Sequence, residues 1–231
     1  MLEKSLQQKG SQLILRQGPA VDVLHDLIKQ TDATGIYFHH SVLNGEQQIE
    51  NDLAHLCKKL EIDCKRFKGE LLFNPADIKT GSGTPYKVFT PFWRACLASD
   101  QPSEPKAAPD YIPAPDAWPE SENFNEWQLC PLKPDWASQF KDHWTPGEQG
   151  ALLAAETFIN KAIDDYQTNR DYPHIDGTSR LSPHLQFGEI SIKTLWHKSF
   201  AADKESPGAA THRKELGWRE FSYHLLHHWP N

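Results

Sequence analysis

Nine of the chain's 17 prolines lie between Pro102 and Pro146, and this run limits the fold more than any other feature. Proline locks φ and offers no N–H, so neither a long helix nor a central strand can pass through it. Mixed with acidic residues, serine and tryptophans, among them Trp118, Trp127 and Trp136, the run reads as a linker over residues 101–145. A freely solvated linker has no use for so much aromatic area, so the expectation is a segment draped over a domain surface. The rest of the chain falls into two parts, residues 1–100 and 146–231. A length of 231 residues suits one full domain plus part of another.

Ahead of the linker, residues 12–16, 35–38 and 62–67 read as strands because they are brief and rich in β-branched or aromatic side chains. Helical patterns separate them. Ala20, Val21, Leu24, Leu27 and Ile28 recur at three- and four-residue steps after Gly18-Pro19, and Ile49, Leu53, Leu56 and Leu60 do the same. This alternation implies an α/β, Rossmann-like parallel sheet. Three strands make a thin one, and residues 1–9 read as the end of a helix, so an incomplete domain lacking its first strand is expected. After the linker, Thr145-Pro146-Gly147-Glu148 marks a helix start. Leu152, Leu153, Phe158 and Ile159 open an all-helical part that continues around 191–203 and 211–229.

Charge and cysteine usage exclude several classes. The net charge is −7, with 4 basic against 13 acidic side chains in residues 97–167. A protein that wraps nucleic acid over its whole surface would need a basic stripe instead. No apolar run approaches a membrane span and the opening residues lack a signal-peptide pattern, so a cytoplasmic protein is expected. Cys57, Cys64, Cys96 and Cys130 are spaced as free thiols rather than as a disulfide framework.

Three places carry candidate chemistry. Thr178, Ser179 and Ser182 beside a helix start at Pro183 offer hydroxyls and N–H groups to a phosphate, with Arg170 and Arg180 nearby; the alternative is that they cap the helix. Glu215, Trp218, Arg219 and Ser222 share one helical face, a set suited to stacking a flat ring and bonding its edge. The competing reading there is a Glu215–Arg219 ion pair beside a core tryptophan. His224, His227 and His228 lack both an HExxH pattern and a third ligand at recognisable spacing, so no metal is assigned. His39 and His40 end the second strand, where α/β sheets bind ligands, although loop histidines are commonly just solvated. Gly81-Ser82-Gly83-Thr84-Pro85 lacks a Walker lysine and reads as a tight turn.

Taken together, GSGTPYKVFTPFW at 81–93, GTSRLSPH at 177–184 with GEIS at 188–191, and ELGWREF at 215–221 resemble the DNA photolyase and cryptochrome family, in its class I cyclobutane pyrimidine dimer photolyase branch. The resemblance covers essentially the whole chain. It implies an antenna domain, an interdomain connection and a helical domain that holds FAD. By motif, Tyr166, Thr178, Ser179, Arg180, Leu181 and Ser182 would contact FAD and Arg170 would meet DNA backbone. Glu215 and Trp218, beside Arg219, would line the pocket that receives the flipped dimer. The family's chemistry is light-driven electron donation from reduced flavin to the dimer, carbon–carbon lyase chemistry that needs no proton-transfer triad. The implied partner is DNA containing pyrimidine dimers, bound by a monomer. The loop before Tyr86 lacks the acidic and amide side chains of folate-binding members, so a deazaflavin antenna, or none, is favoured over folate. Family members are longer, so an internal fragment without the first strand and the carboxyl-terminal half is expected. A cryptochrome-type photoreceptor or a non-catalytic remnant are the competing functions.

Overall fold

The computed structural model describes residues 1–130, 133–201 and 206–230. Two units emerge from it. One comprises Met1–His40, Gly45–Phe67 and Ala107–Thr145; the other comprises Ser41–Asn44, Lys68–Lys106 and Pro146–Asn231.

In the first unit, helix α1 (Leu2–Gln8) is followed by α2 (Ala20–Thr31), which starts after Pro19 and ends where Asp32 turns left-handed at φ 50°. Strand β1 (Gly35–His39), helix α3 (Asn44–Leu60) and strand β2 (Asp63–Phe67) come next, with Glu61 turning at φ 57° after α3. The strands pair in parallel, Gly35 opposite Asp63 through His39 opposite Phe67. Ile28 of α2 and Leu53 and Cys57 of α3 are buried. A parallel sheet carrying helices agrees with the α/β expectation, although the sheet has two strands among the described residues rather than three.

The expected strand at 12–16 belongs to no ladder. Its backbone partners come from the proline-rich run: the Leu15 N–H donates to Ser121 Oγ (2.9 Å), the Glu122 N–H to the Leu15 carbonyl (2.8 Å), and the Gln17 N–H to Glu122 Oε1 (2.7 Å). The Ile112 N–H adds a bond to the Lys9 carbonyl (2.7 Å). Polar bonds carry this attachment, and Trp127 supports them by donating its indole N–H to Glu122 Oε2 (2.9 Å), whereas Trp136 is 63% exposed and Trp118 39%.

The second unit opens with α4 (Phe89–Ala98), which buries Phe89, Phe92 and Cys96. The linker's 3₁₀ turns apart, α5 (Glu148–Lys161), α6 (Tyr166–Asn169), α7 (Ser182–Gln186), α8 (Ile192–Ala201) and α9 (Pro207–His228) complete it. Its core joins Leu72, Phe73 and Ile78 to Phe92, Leu181, Leu195, Trp196 and Phe221. Helix α9 starts at Ser206, whose hydroxyl accepts from the Ala209 N–H (3.4 Å), with Pro207 at the first helical position. It then buries Gly208, His212, Arg213, Leu216, Gly217, Glu220, Phe221 and His224, a wide face at helical spacing.

Gly208 allows the start of α9 to approach the chain between α5 and α6. A Cβ there would overlap the carbonyl oxygens of Ile163 and Asp164. Backbone cannot retreat as a flexible side chain can, so Gly208→Ala is expected to cost about 1–3 kcal/mol of unfolding free energy. An unchanged urea midpoint would show that the approach is looser than described.

Candidate functional site

With so wide a face of α9 buried, its open side carries Glu215, Trp218, Arg219 and Ser222. Trp218 is 44% exposed and lies flat on Phe89 of α4, with ring centroids 3.7 Å apart and planes 8° from parallel. Phe221 meets the same indole edge-on at 6.0 Å. This tryptophan is neither a core residue nor a free surface one. Phe89 supports it and leaves the rest of its surface to solvent.

Glu215 does not pair with Arg219 along the helix. Its partner is Arg170, the residue that ends α6. The Arg170 guanidinium sits 5.5 Å from the Tyr166 ring centroid and 3.7 Å from Asp171, and Glu215 holds it more firmly protonated than usual. Tyr166 is itself buried, edge-on to Phe158 at 5.4 Å and to His212 at 5.5 Å, and burial pushes its phenol pKa up. Packing of α6 on α9 thus gathers Tyr166, Arg170 and Glu215 into one cluster.

Arg219 turns the other way. It donates to the Glu70 carbonyl (2.6 Å) and lies 4.7 Å from the Tyr223 ring, so it braces the 70–73 segment. Its neighbour Glu220 is 2% exposed, and one carboxylate oxygen accepts from the N–H groups of Leu72 (2.9 Å) and Phe73 (3.1 Å). Burial pushes its pKa up to about 7. Sequence reasoning passed over Glu220 because a glutamate beside an arginine reads as surface. Its spacing from Leu216, Gly217, Phe221 and His224 was the available signal.

The hydroxyl-rich run lies ahead of α7. Thr178 and Ser182 are exposed and Ser179 is half-buried. No side chain caps α7, which removes the capping reading. Arg180 adopts a left-handed φ of 51° and pairs with Asp176 at 3.1 Å. Leu181 is 1% exposed and belongs to the core, so any ligand contact there is through its backbone. His184, bonded to Glu189 at 2.6 Å, fixes α7 to the turn after it. Gly177 lies against Asn169, where a Cβ would come within 2.6 Å of the Asn169 Cβ. That contact sets the run beside α6 and its Tyr166.

The histidines resolve into structural partners. His224 Nε2 donates to the Tyr86 carbonyl (3.2 Å) and His228 Nε2 to that of Pro75 (3.1 Å). In the first unit, His40 Nδ1 lies 2.8 Å from the buried Glu50, which also holds Arg66. Among the described residues no helix is long and apolar enough to cross a membrane.

Comparison with known proteins agrees with the α/β-then-helical architecture. The sequence pattern of the DNA photolyase family matches residues 1–113. A deoxyribodipyrimidine photo-lyase of Agrobacterium fabrum is 42% identical across 99% of this chain and 48% of its own length. An uncharacterised 31.6 kDa protein of Synechococcus sp. PCC 6716 is 34% identical over 95% of this chain and 78% of its own length. The crystal structure of a class III photolyase from Agrobacterium tumefaciens superposes with a TM-score of 0.94 at 41% identity, covering 99% of this chain and 48% of that one. The chain belongs to the DNA photolyase family. It spans about half the length of the photo-lyase relatives it matches.

Proposed function

We propose that the chain supplies the flavin-phosphate cradle and the dimer-facing wall of a deoxyribodipyrimidine photo-lyase, which uses light to reverse cyclobutane pyrimidine dimers in DNA. The observation that carries this reading is the half-exposed Trp218, stacked on Phe89 and placed on the same helix face as Glu215. A flipped base pair lesion needs such a supported aromatic platform and a hydrogen-bonding group beside it.

The donor set suits FAD. Thr178, Ser179 and Ser182 present hydroxyls on a turn that also carries Arg180, a combination matched to a diphosphate, while Tyr166 closes the α6 side. Reduced FAD, when bound, supplies the light-excited electron donor. The chain's own residues hold phosphate, stack the substrate and hold Glu215 against Arg170. The domain division at 100 and 145, a monomeric state, a cytoplasmic location and DNA as partner belong to the same proposal. The class III branch is favoured over class I, because a class III structure is the 41% identical relative whereas the class I reading rests on three short motifs. For the antenna, a deazaflavin or none is favoured over folate: Thr80, Ser82 and Thr84 bond one another at 2.8–3.4 Å and present no carboxylate or amide.

Trp218→Ala tests the reading. Binding to a duplex with one thymine dimer should weaken by about 1–3 kcal/mol, the worth of a stacked base, with little change for undamaged duplex. Loss of the Phe89 stack should also lower stability, by about 0.5–1.5 kcal/mol beyond the area exposed. Equal weakening on both DNAs, or none, would remove the pocket assignment.

A further inference from the structure

The Arg170–Glu215 pair has a consequence beyond the separate roles of its members. Both side chains are only partly exposed, 30% and 31%, and Asp171 lies 3.7 Å from the Arg170 Nε while Glu215 meets Nη1. A phosphate approaching Arg170 in the free protein therefore meets one cation already bracketed by two carboxylates. The Tyr166 ring centroid lies 5.5 Å from the guanidinium carbon. The cation is masked against a generic anion.

We infer that Glu215 is a specificity determinant acting through Arg170: it withholds Arg170 from the phosphates of undamaged DNA, and the base edge of a flipped lesion draws it away and releases the guanidinium to the backbone. This rests on the proposed function. Two interactions that look independent then become one exchange. Glu215 trades an arginine for a base edge, and Arg170 trades a carboxylate for a phosphate, so neither group is left unpaired in either state. A partly exposed ion pair is weak enough for such a swap, since water and salt already compete with it. Coupling of this kind makes a non-specific contact available only when the specific one has formed, which is discrimination by exclusion.

The test is equilibrium binding of the 231-residue chain to matched duplexes with and without one thymine dimer, across a salt series. Arg170→Gln should leave affinity for undamaged duplex unchanged, because the masked cation contributes nothing there. It should weaken the dimer complex and flatten its log–log salt slope by about one. Glu215→Gln should do the opposite on undamaged duplex, tightening it several-fold with a slope steeper by about one, while dimer binding falls. An ordinary phosphate contact would make Arg170→Gln weaken both duplexes alike, and that result, or an unchanged undamaged affinity in Glu215→Gln, overturns the mask. The function reading fails separately, if the unsubstituted chain shows no preference for the dimer. The mask is still read in that case from the Glu215→Gln change on undamaged DNA.

Discussion

Glu220→Ala is expected to lower unfolding free energy by about 2–6 kcal/mol, while Glu220→Gln costs far less. One oxygen of this carboxylate takes the N–H groups of both Leu72 and Phe73, and the site is 2% exposed. Alanine leaves two buried donors with no acceptor, each worth about 1–3 kcal/mol. It also opens a void in a core where packing is dense. Glutamine keeps an oxygen that can accept from both amides, and it places its amide where the other oxygen faced Arg219 at 3.5 Å. The comparison separates lost hydrogen bonding from lost charge. Urea unfolding at neutral pH reads it directly, provided the m-value is unchanged. Equal losses in the two variants would mean that the charge, and not the acceptor, holds the 70–73 segment.

That segment shows where sequence reading stops. The helices α2, α3, α5, α8 and α9 were legible because each carries apolar residues at three- and four-residue steps, and β1 and β2 because they are short and bounded by helices. Residues 12–16 have the same local look as β1, yet their hydrogen bonds go to Ser121 and Glu122; extended backbone announces itself in sequence, but its partner does not. Helix α4 overlaps the 81–93 motif, and its own signal is the spacing of Phe89, Phe92 and Cys96 as a buried stripe with Trp93 packed beside it. In the site, the Glu215, Trp218 and Arg219 face was visible from spacing alone. Its pairings were not, because Arg170, Phe89 and the Glu70 carbonyl arrive from other elements. Tertiary partners decide which charges meet, and local periodicity carries no record of them.

Acidification from pH 6.5 to 4.5 is expected to destabilise the chain by about 1.4 kcal/mol per pH unit, and Glu220→Gln should make that loss roughly twice as steep. His212 and His224 are 3% and 0% exposed, and burial pulls the pKa of each down to about 4 from 6.5. Each has a buried Nδ1 without a partner among the described residues, so protonation gains no new bond. The unfolded chain accepts those protons near pH 6.5 and the folded chain resists them to about 4. Their contribution is therefore complete above 6.5 and lost as pH falls through 4. Glu220 runs oppositely. Its pKa rises from 4.5 to about 7 by burial, so its contribution is complete below 4.5 and lost as pH rises through 7. Between 4.5 and 6.5 two histidine protons oppose one glutamate proton, leaving a net slope of one. Above 6.5 only Glu220 still titrates, and stability should fall slightly toward pH 7. Glutamine at 220 removes the opposing proton, which doubles the acid slope and levels the profile above 6.5. Urea midpoints at half-unit steps from pH 4.5 to 7.5 measure both curves. Parallel curves would show that Glu220 does not titrate in this window, and a flat wild-type curve with a flat variant curve would show that the two histidines do not either.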